Sequence, residues 1–212
     1  MKVLYRLAWL ASRVICKIWL RSRIYHPERV PREGPVILAS NHVSYLDPPF
    51  VGSSLPREIH YLAREDVFHY PIAGSLLRGL NAVPVNRDGS GAKGLKSILN
   101  RLLQGGGILI FPEGTRSRDG YLQSARDGIG LTIIKSSAPV VPVRIWGAFE
   151  AFGRNRWFPR PRRISVKFGE PLGFKSLREE AKTCPRPRLK EIYRQATGDL
   201  MAAIAALQDG PD

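Results

Sequence analysis

A chain of 212 residues, 43% of them hydrophobic, is long enough for one full α/β core and too apolar to stay unfolded. Its 33 Lys and Arg against 18 Asp and Glu give a formal charge of +15. That excludes an acidic surface and favours polyanionic partners: nucleic acid, anionic lipid headgroups or phosphorylated substrates. Cys16 and Cys184 lie far apart with no metal-ligand spacing, so they read as reduced small hydrophobes in a reducing, cytosolic setting.

The chain begins "MKVLYRLAWLASRVICKIWLRSRIY". At about 100° per residue, Lys2, Arg6, Arg13, Lys17 and Arg21 fall on one stripe of a helix. Leu4, Leu7, Trp9, Ile15, Ile18 and Trp19 cover a wide apolar face. The longest uncharged run, 7–12, is far short of the roughly 20 residues of a transmembrane span. Arg13 and Lys17 interrupt what would be the apolar region of a signal peptide. Residues 1–24 therefore read as an amphipathic helix lying in a membrane interface. The alternative is a helix packed on the domain, basic side outward.

After the proline-containing entry "HPERVPREG", short β-type runs alternate with helical stretches. Strands are expected at "PVILAS" (35–40), "EIHYLA" (58–63), "NAVPVN" (81–86), "GILIF" (107–111), "PVVPVRI" (139–145) and "RISVKF" (163–168). Helical periodicity runs through 92–104, 127–136 and 189–207. Such alternation predicts a single α/β domain over 25–212, with a central mixed, mostly parallel sheet flanked by helices. The triple glycine in "QGGGI" precedes a strand instead of following one, so it reads as a helix terminator. "GRNRWFPRPRR" (153–163) reads as an exposed loop.

Three strand ends carry chemistry. "SNHVSYLDPP" places His42 five residues before Asp47. A regular helix would point the two side chains apart, but Pro48 disfavours helical backbone at Asp47. A turn there folds the carboxylate onto the imidazole, leaving the other ring nitrogen as a general base. The same residues also fit an N-cap at Asn41 or Ser44 and an ordinary helix, the simpler reading of this segment alone. "FPEGTRSRDG" (111–120) follows a strongly β-type run, at the kind of edge where open α/β sheets place ligands. Pro112 and Gly114 shape its turn, Arg116 and Arg118 offer guanidinium forks to a phosphate, and Glu113 orients an arginine or accepts a hydroxyl hydrogen. "NAVPVNRDG" (81–89) ends another β run at Arg87, with Asn81 suited to a left-handed backbone. There is no G-x-S-x-G and no HExxH, so serine-hydrolase and zinc-protease readings lack support.

Together these residues resemble the glycerolipid acyltransferase family, in particular 1-acylglycerol-3-phosphate acyltransferases. "NHVSYLD" matches its N-H-x-x-x-x-D motif and "FPEGTRS" its second hallmark. "VPVNR" and "VVPVRI" resemble two further blocks, so the likeness covers about residues 30–170. Two departures stand out: Asn81 occupies a position usually held by glycine, and "ARDG" (125–128) puts Arg126 where a Phe-Lys-x-Gly element has lysine. The resemblance implies that His42 deprotonates the free hydroxyl of lysophosphatidic acid, oriented by Asp47. That oxygen attacks the thioester of acyl-CoA or acyl-carrier protein, giving phosphatidic acid. Glu113, Gly114, Thr115 and Arg116 would form the acceptor-phosphate site, Arg87 and Pro142 would contribute to substrate binding, and no metal or bound cofactor is needed. Apolar residues near "PPFVG" and the first helix would take the acyl chain. The implied setting is the cytoplasmic face of an anionic membrane. Other acceptors (glycerol 3-phosphate or another lysolipid) fit the same arginines. A non-enzymatic binder of nucleic acid or phosphoinositide is the alternative of another class, for which Trp157 and Phe158 among arginines would stack on bases.

Overall fold

The computed structural model describes residues 2–85, 92–126 and 128–212. In chain order come α1 (Val3–Ile18), β1 (Arg23–Tyr25), β2 (Val36–Ser40), α2 (Asp47–Ser53), β3 (Ile59–Arg64), α3 (Pro71–Gly79) and β4 (Ala82–Val85). Then follow α4 (Ala92–Leu103), β5 (Gly107–Ile110), α5 (Ile129–Lys135), β6 (Val140–Trp146), α6 (Ala148–Phe152), β7 (Ser165–Phe168), α7 (Lys175–Thr183) and α8 (Arg186–Ala206). The strands form one sheet in the order β1-β7-β6-β2-β5-β3-β4. Every pairing is parallel except β6 with β7. The mixed, mostly parallel sheet predicted from the alternating pattern is present.

Position in the sheet explains composition. β2 and β5 lie inside it and are buried along their whole length, which suits the unbroken apolar runs VILAS and GILI. One apolar layer joins Leu38, Leu109 and Val143 to Cys16, Leu20, Phe50 and Val51, on the side of α1 and α2. The opposite layer joins Ile37, Ile108 and Ile110 to α4, α5 and α8. α8 contributes Ile192, Ala196, Leu200 and Ile204, a four-residue repeat that makes one buried stripe.

All six expected strands form, within a residue or two of their expected ends. β1 was not expected: three residues are too few to show alternation, yet they pair in register with β7 from Arg23↔Ser165. It straddles residue 24. Helices α2, α3, α6 and α7 also escape the periodicity. α2 and α3 start on Pro48, Pro49 and Pro71, which resemble breakers but sit where a helix has no use for their missing N–H groups. α6 spans only five residues. α7 buries Leu177 alone, so its pattern is almost wholly polar. The helix terminator is as expected: after α4, Gly105 takes φ +77° and Gly106 N–H returns to the Arg101 carbonyl. Asn81 is left-handed, at φ +61°.

α1 is packed against the domain along one side. Tyr5 is buried, its hydroxyl accepting Ile59 N–H, and the Trp9 indole donates to the Leu55 carbonyl at 2.9 Å. Trp9 thus turns inward instead of joining the outer apolar face, and Arg13 lies over its ring. Val3, Leu7, Leu10, Val14 and Ile18 remain exposed on the outer side. No described helix is long and apolar enough to cross a membrane.

Beyond the end of β2, Asn41 prolongs its attachment to β6. The buried side chain donates Nδ2–H to the Ile145 carbonyl at 3.0 Å and accepts Ile145 N–H at 2.8 Å. Asn41→Ala leaves both groups buried without partners. At about 1–3 kcal/mol for each, the variant should lose about 2–6 kcal/mol in urea unfolding; a loss below about 0.5 kcal/mol would show that the strap is dispensable.

Candidate active site

The chain leaves β2 at Ser40 and enters α2 at Asp47, so the connecting turn has six residues in which to reverse. Asp47 holds it together from inside. Its side chain is fully buried, and Oδ2 accepts Val43 N–H at 2.7 Å, Ser44 N–H at 2.7 Å and His42 Nδ1–H at 2.8 Å. Three donors thus converge on one carboxylate oxygen. Accepting from two backbone N–H groups, Oδ2 serves as acceptor for the imidazole too, which fixes the tautomer: the proton sits on Nδ1, and Nε2 keeps its lone pair. The cap reading falls away here. Asn41 is the β6 strap, while Ser44 Oγ accepts Leu46 N–H and donates to the Phe152 carbonyl. The helix begins at Asp47 itself, proline neighbours notwithstanding.

The loop after β5 closes on the same histidine. Phe111 stacks on the imidazole, ring centroids 3.9 Å apart and planes 15° from parallel. Glu113 Oε1 accepts the His42 backbone N–H at 2.9 Å, and Ser117 N–H donates to the His42 carbonyl at 2.7 Å. Glu113 thus braces the histidine backbone instead of orienting an arginine. Gly114 takes φ +68°, and a Cβ there would meet the Arg126 side chain at 2.5 Å, so the departure at Arg126 packs directly over the turn. The Arg116 guanidinium lies 3.4 Å above the Tyr45 ring, and its Nη1 is buried without a hydrogen-bond partner among the described residues. Arg118 is exposed and Thr115 half-buried.

The geometry brings together His42, Asp47, Glu113, Gly114 and Arg116. It leaves Pro142 in the middle of β6, registered with Ala39 and accepting Gly169 N–H, about three residues or 10 Å down the strand from His42. Arg87 lies outside the described residues. Among those residues no group of three or more His, Cys, Asp and Glu has metal-site geometry.

The chain is also similar to known proteins. A family model described as Acyltransferase matches residues 21–146. The chain belongs to the acyltransferase family. It is 26% identical over 170 residues to the 1-acyl-sn-glycerol-3-phosphate acyltransferase of Bacillus subtilis, covering 80% of this chain and 82% of that one. With the chloroplastic 1-acyl-sn-glycerol-3-phosphate acyltransferase of Arabidopsis thaliana it shares 31% identity over 144 residues, covering 63% of this chain but 40% of that one. The crystal structure of the 1-acyl-sn-glycerophosphate acyltransferase PlsC from Thermotoga maritima has the same fold, with a TM-score of 0.68 over 97% of this chain and 81% of that one, at 24% identity.

In this acyltransferase an apolar cavity of about 310 Å³ opens beside the histidine turn. Pro48 and Pro49, next to Asp47, form one wall; Tyr5, Trp9, Tyr61 and Leu77 form others. Its volume is at the small end for ligand pockets, about 300–1,000 Å³. Gly52 of "PPFVG" lets α2 approach β3 this closely, since a Cβ there would lie 1.8 Å from the Tyr61 hydroxyl. Phe111 and Tyr45, the aromatic supports of His42 and Arg116, were missed as site residues. Both lie inside the two motifs, and an aromatic beside a strand-end histidine or arginine is the signal that would have found them.

Burial raises the Glu113 carboxyl to about 7, the charge of Asp47 adding to the effect, against the lowering action of the N–H groups of His42 and Gln123. The folded state therefore holds this proton more tightly than the unfolded chain between the ordinary carboxyl range and pH 7. Stability falls as pH rises through that window, by about 3 kcal/mol at most. Glu113→Gln keeps an acceptor for His42 N–H but cannot ionise. Urea midpoints at pH 5 and pH 8 should differ clearly less in this variant than in the parent; an equal difference would place the titration elsewhere.

Proposed function

We propose that this acyltransferase moves a fatty acyl group from a thioester, acyl-CoA or acyl-carrier protein, to the free hydroxyl of lysophosphatidic acid, yielding phosphatidic acid. The observation that carries the reading is the buried Asp47 carboxylate on His42 Nδ1, with the unpartnered Nη1 of Arg116 in the adjoining loop. One supplies a base and the other a donor for a phosphate.

His42 Nε2 accepts the proton of the acceptor hydroxyl as its oxygen attacks the thioester carbonyl. The imidazolium that forms is stabilised by Asp47. As the tetrahedral intermediate collapses, the carbon–sulfur bond breaks and the thiolate takes the proton from His42 Nε2 to leave as thiol. A thiol pKa near 8.5 makes this an easy departure. Arg116 binds the acceptor phosphate through the guanidinium edge that Tyr45 leaves uncovered, with Glu113, Gly114 and Thr115 shaping the loop around it. Arg87 and Pro142 belong to the proposed substrate set, Arg87 as a second cation and Pro142 through the shape of β6. The apolar cavity between α1, α2 and β3 receives the acyl chain. The protein works at an anionic membrane on its cytoplasmic face, with the interface element within residues 1–24, the acyltransferase domain over 25–212, and no resident cofactor. Tyr5, Cys16 and Leu20 are buried in the domain. Deleting residues 1–24 would therefore damage the core, and any test of membrane binding belongs on the outer side chains.

His42→Ala should fold like the parent and lose about 10²–10⁴ in turnover with oleoyl-CoA and lysophosphatidic acid, read as labelled phosphatidic acid on thin-layer plates. Full activity in the purified variant would place the base elsewhere. Arg116→Lys keeps the charge but not the fork. Its KM for lysophosphatidic acid should rise at least about tenfold while that for the thioester stays within about twofold; parallel weakening of both substrates would mean a collapsed loop, not a lost phosphate contact.

A further inference from the structure

Between α6 and β7 runs the loop 153–163, "GRNRWFPRPRR", with five arginines and no acidic residue. At its tip Trp157 is 92% exposed and Phe158 81%, the most exposed tryptophan and phenylalanine described. No carboxylate among the described residues pairs with Arg154, Arg156, Arg160, Arg162 or Arg163. The loop is nonetheless firmly rooted. At its start the Phe152 carbonyl accepts Ser44 Oγ–H at 2.7 Å and Tyr45 N–H at 3.4 Å, and Gly153 forms a β-bridge with Ser44. Arg160 N–H returns to the Ala151 carbonyl at 2.8 Å. At the far end Ile164 donates to the Leu20 carbonyl at 3.2 Å and accepts Arg23 N–H at 3.0 Å, just beyond α1.

One root thus sits in the catalytic turn, two residues from His42, and the other beside the end of the helix with the exposed apolar face. We propose that this loop is a second membrane foot: Trp157 and Phe158 enter an anionic lipid surface while the five arginines engage its headgroups. Aromatic rings flanked by cations suit the headgroup–acyl boundary, where the rings lose water and the charges keep it. Single strands of nucleic acid would also attract arginines and stack on aromatics. The bilayer is favoured because the loop is rooted beside α1, whose outer Val14, Ile18 and neighbouring Trp19 are apolar and exposed, a surface that nucleic acid has no chemistry to cover. Two feet fix an orientation where one helix leaves rotation about its axis free; the loop is rooted two residues from His42, and α1 lines the apolar cavity beside that turn. The lipid-modifying activity proposed above gives this orientation its use, but binding by the loop is measured apart from turnover.

The full-length protein is mixed with vesicles of phosphatidylcholine, alone or with phosphatidylglycerol. The emission of Trp157 is isolated as the difference between parent and Trp157→Phe. With anionic vesicles this difference spectrum should shift to the blue and be quenched by lipids brominated in the acyl chains. W157S/F158S should bind anionic vesicles at least about tenfold more weakly, and R162Q about fivefold at low salt. The W157S/F158S variant should turn over a short-chain, water-soluble lysophosphatidic acid as the parent does, yet process the vesicle-borne acceptor several-fold more slowly. A Trp157 spectrum indifferent to vesicles, with binding unchanged in W157S/F158S, overturns the second foot. A spectrum that answers to an oligonucleotide and not to vesicles also overturns it and gives the loop to nucleic acid. Absence of turnover by the parent with every acceptor defeats the acyltransfer reading alone, since the fluorescence still decides the foot.

Discussion

One buried carboxylate organises the molecule's working end. Asp47 has no access to solvent, and the turn that it closes feeds its Oδ2 three N–H groups in place of water. Turn and carboxylate therefore stabilise each other: the backbone N–H groups of Val43 and Ser44 are satisfied by the charge that the histidine needs as its orienter. Strand β2 leads into His42, helix α2 delivers Asp47, and the prolines that follow Asp47 restrict the backbone of the first turn of α2.

The charges around this pair are arranged so that they do not compete. A second carboxylate, Glu113, lies one hydrogen bond from the His42 backbone, and burial together with the Asp47 charge keeps it on the edge of neutrality near pH 7. The positive charge of Arg116 is carried on the Tyr45 face, where cation–π contact supports the guanidinium plane without consuming its N–H edge. The apolar cavity has Pro48 and Pro49, the residues after Asp47, in its wall. Imidazole, guanidinium and apolar cavity thus meet around one short turn at the end of the sheet.

Much of this was legible in the amino-acid sequence, for identifiable reasons. Fully buried strands such as VILAS and GILI leave unbroken apolar runs, and their ends are marked by the polar motifs that carry the chemistry. The pairing of His42 with Asp47 was legible only as one of two possibilities, because five residues of spacing match no regular element; the bridging N–H groups that decide it belong to the backbone. The local sequence around Glu113 suggests a carboxylate for an arginine or a hydroxyl, and does not show that Oε1 accepts a main-chain N–H 71 residues away, a contact that no local pattern encodes. Trp9 looked like an outer apolar residue of α1, yet a single hydrogen bond to Leu55 and a place in the cavity wall turn it inward. α7 stayed hidden because one leucine is too little periodicity to register.

The membrane-facing proposals rest on the same site, since a lysolipid acceptor and an acyl chain must reach His42 from one side. The central claim, however, is the tautomer that Asp47 imposes, and it can be observed without substrate. With ¹⁵N-labelled histidine and His42 assigned by comparison with His42→Gln, the two ring nitrogens of the neutral imidazole are read by NMR. The account predicts a protonated, pyrrole-type Nδ1 and an unprotonated, pyridine-type Nε2, reverting toward the mixture of free histidine in Asp47→Ala. A protonated Nε2 with a bare Nδ1 in the parent protein would contradict it, because Nε2, the proposed base, would then have no lone pair to receive a proton.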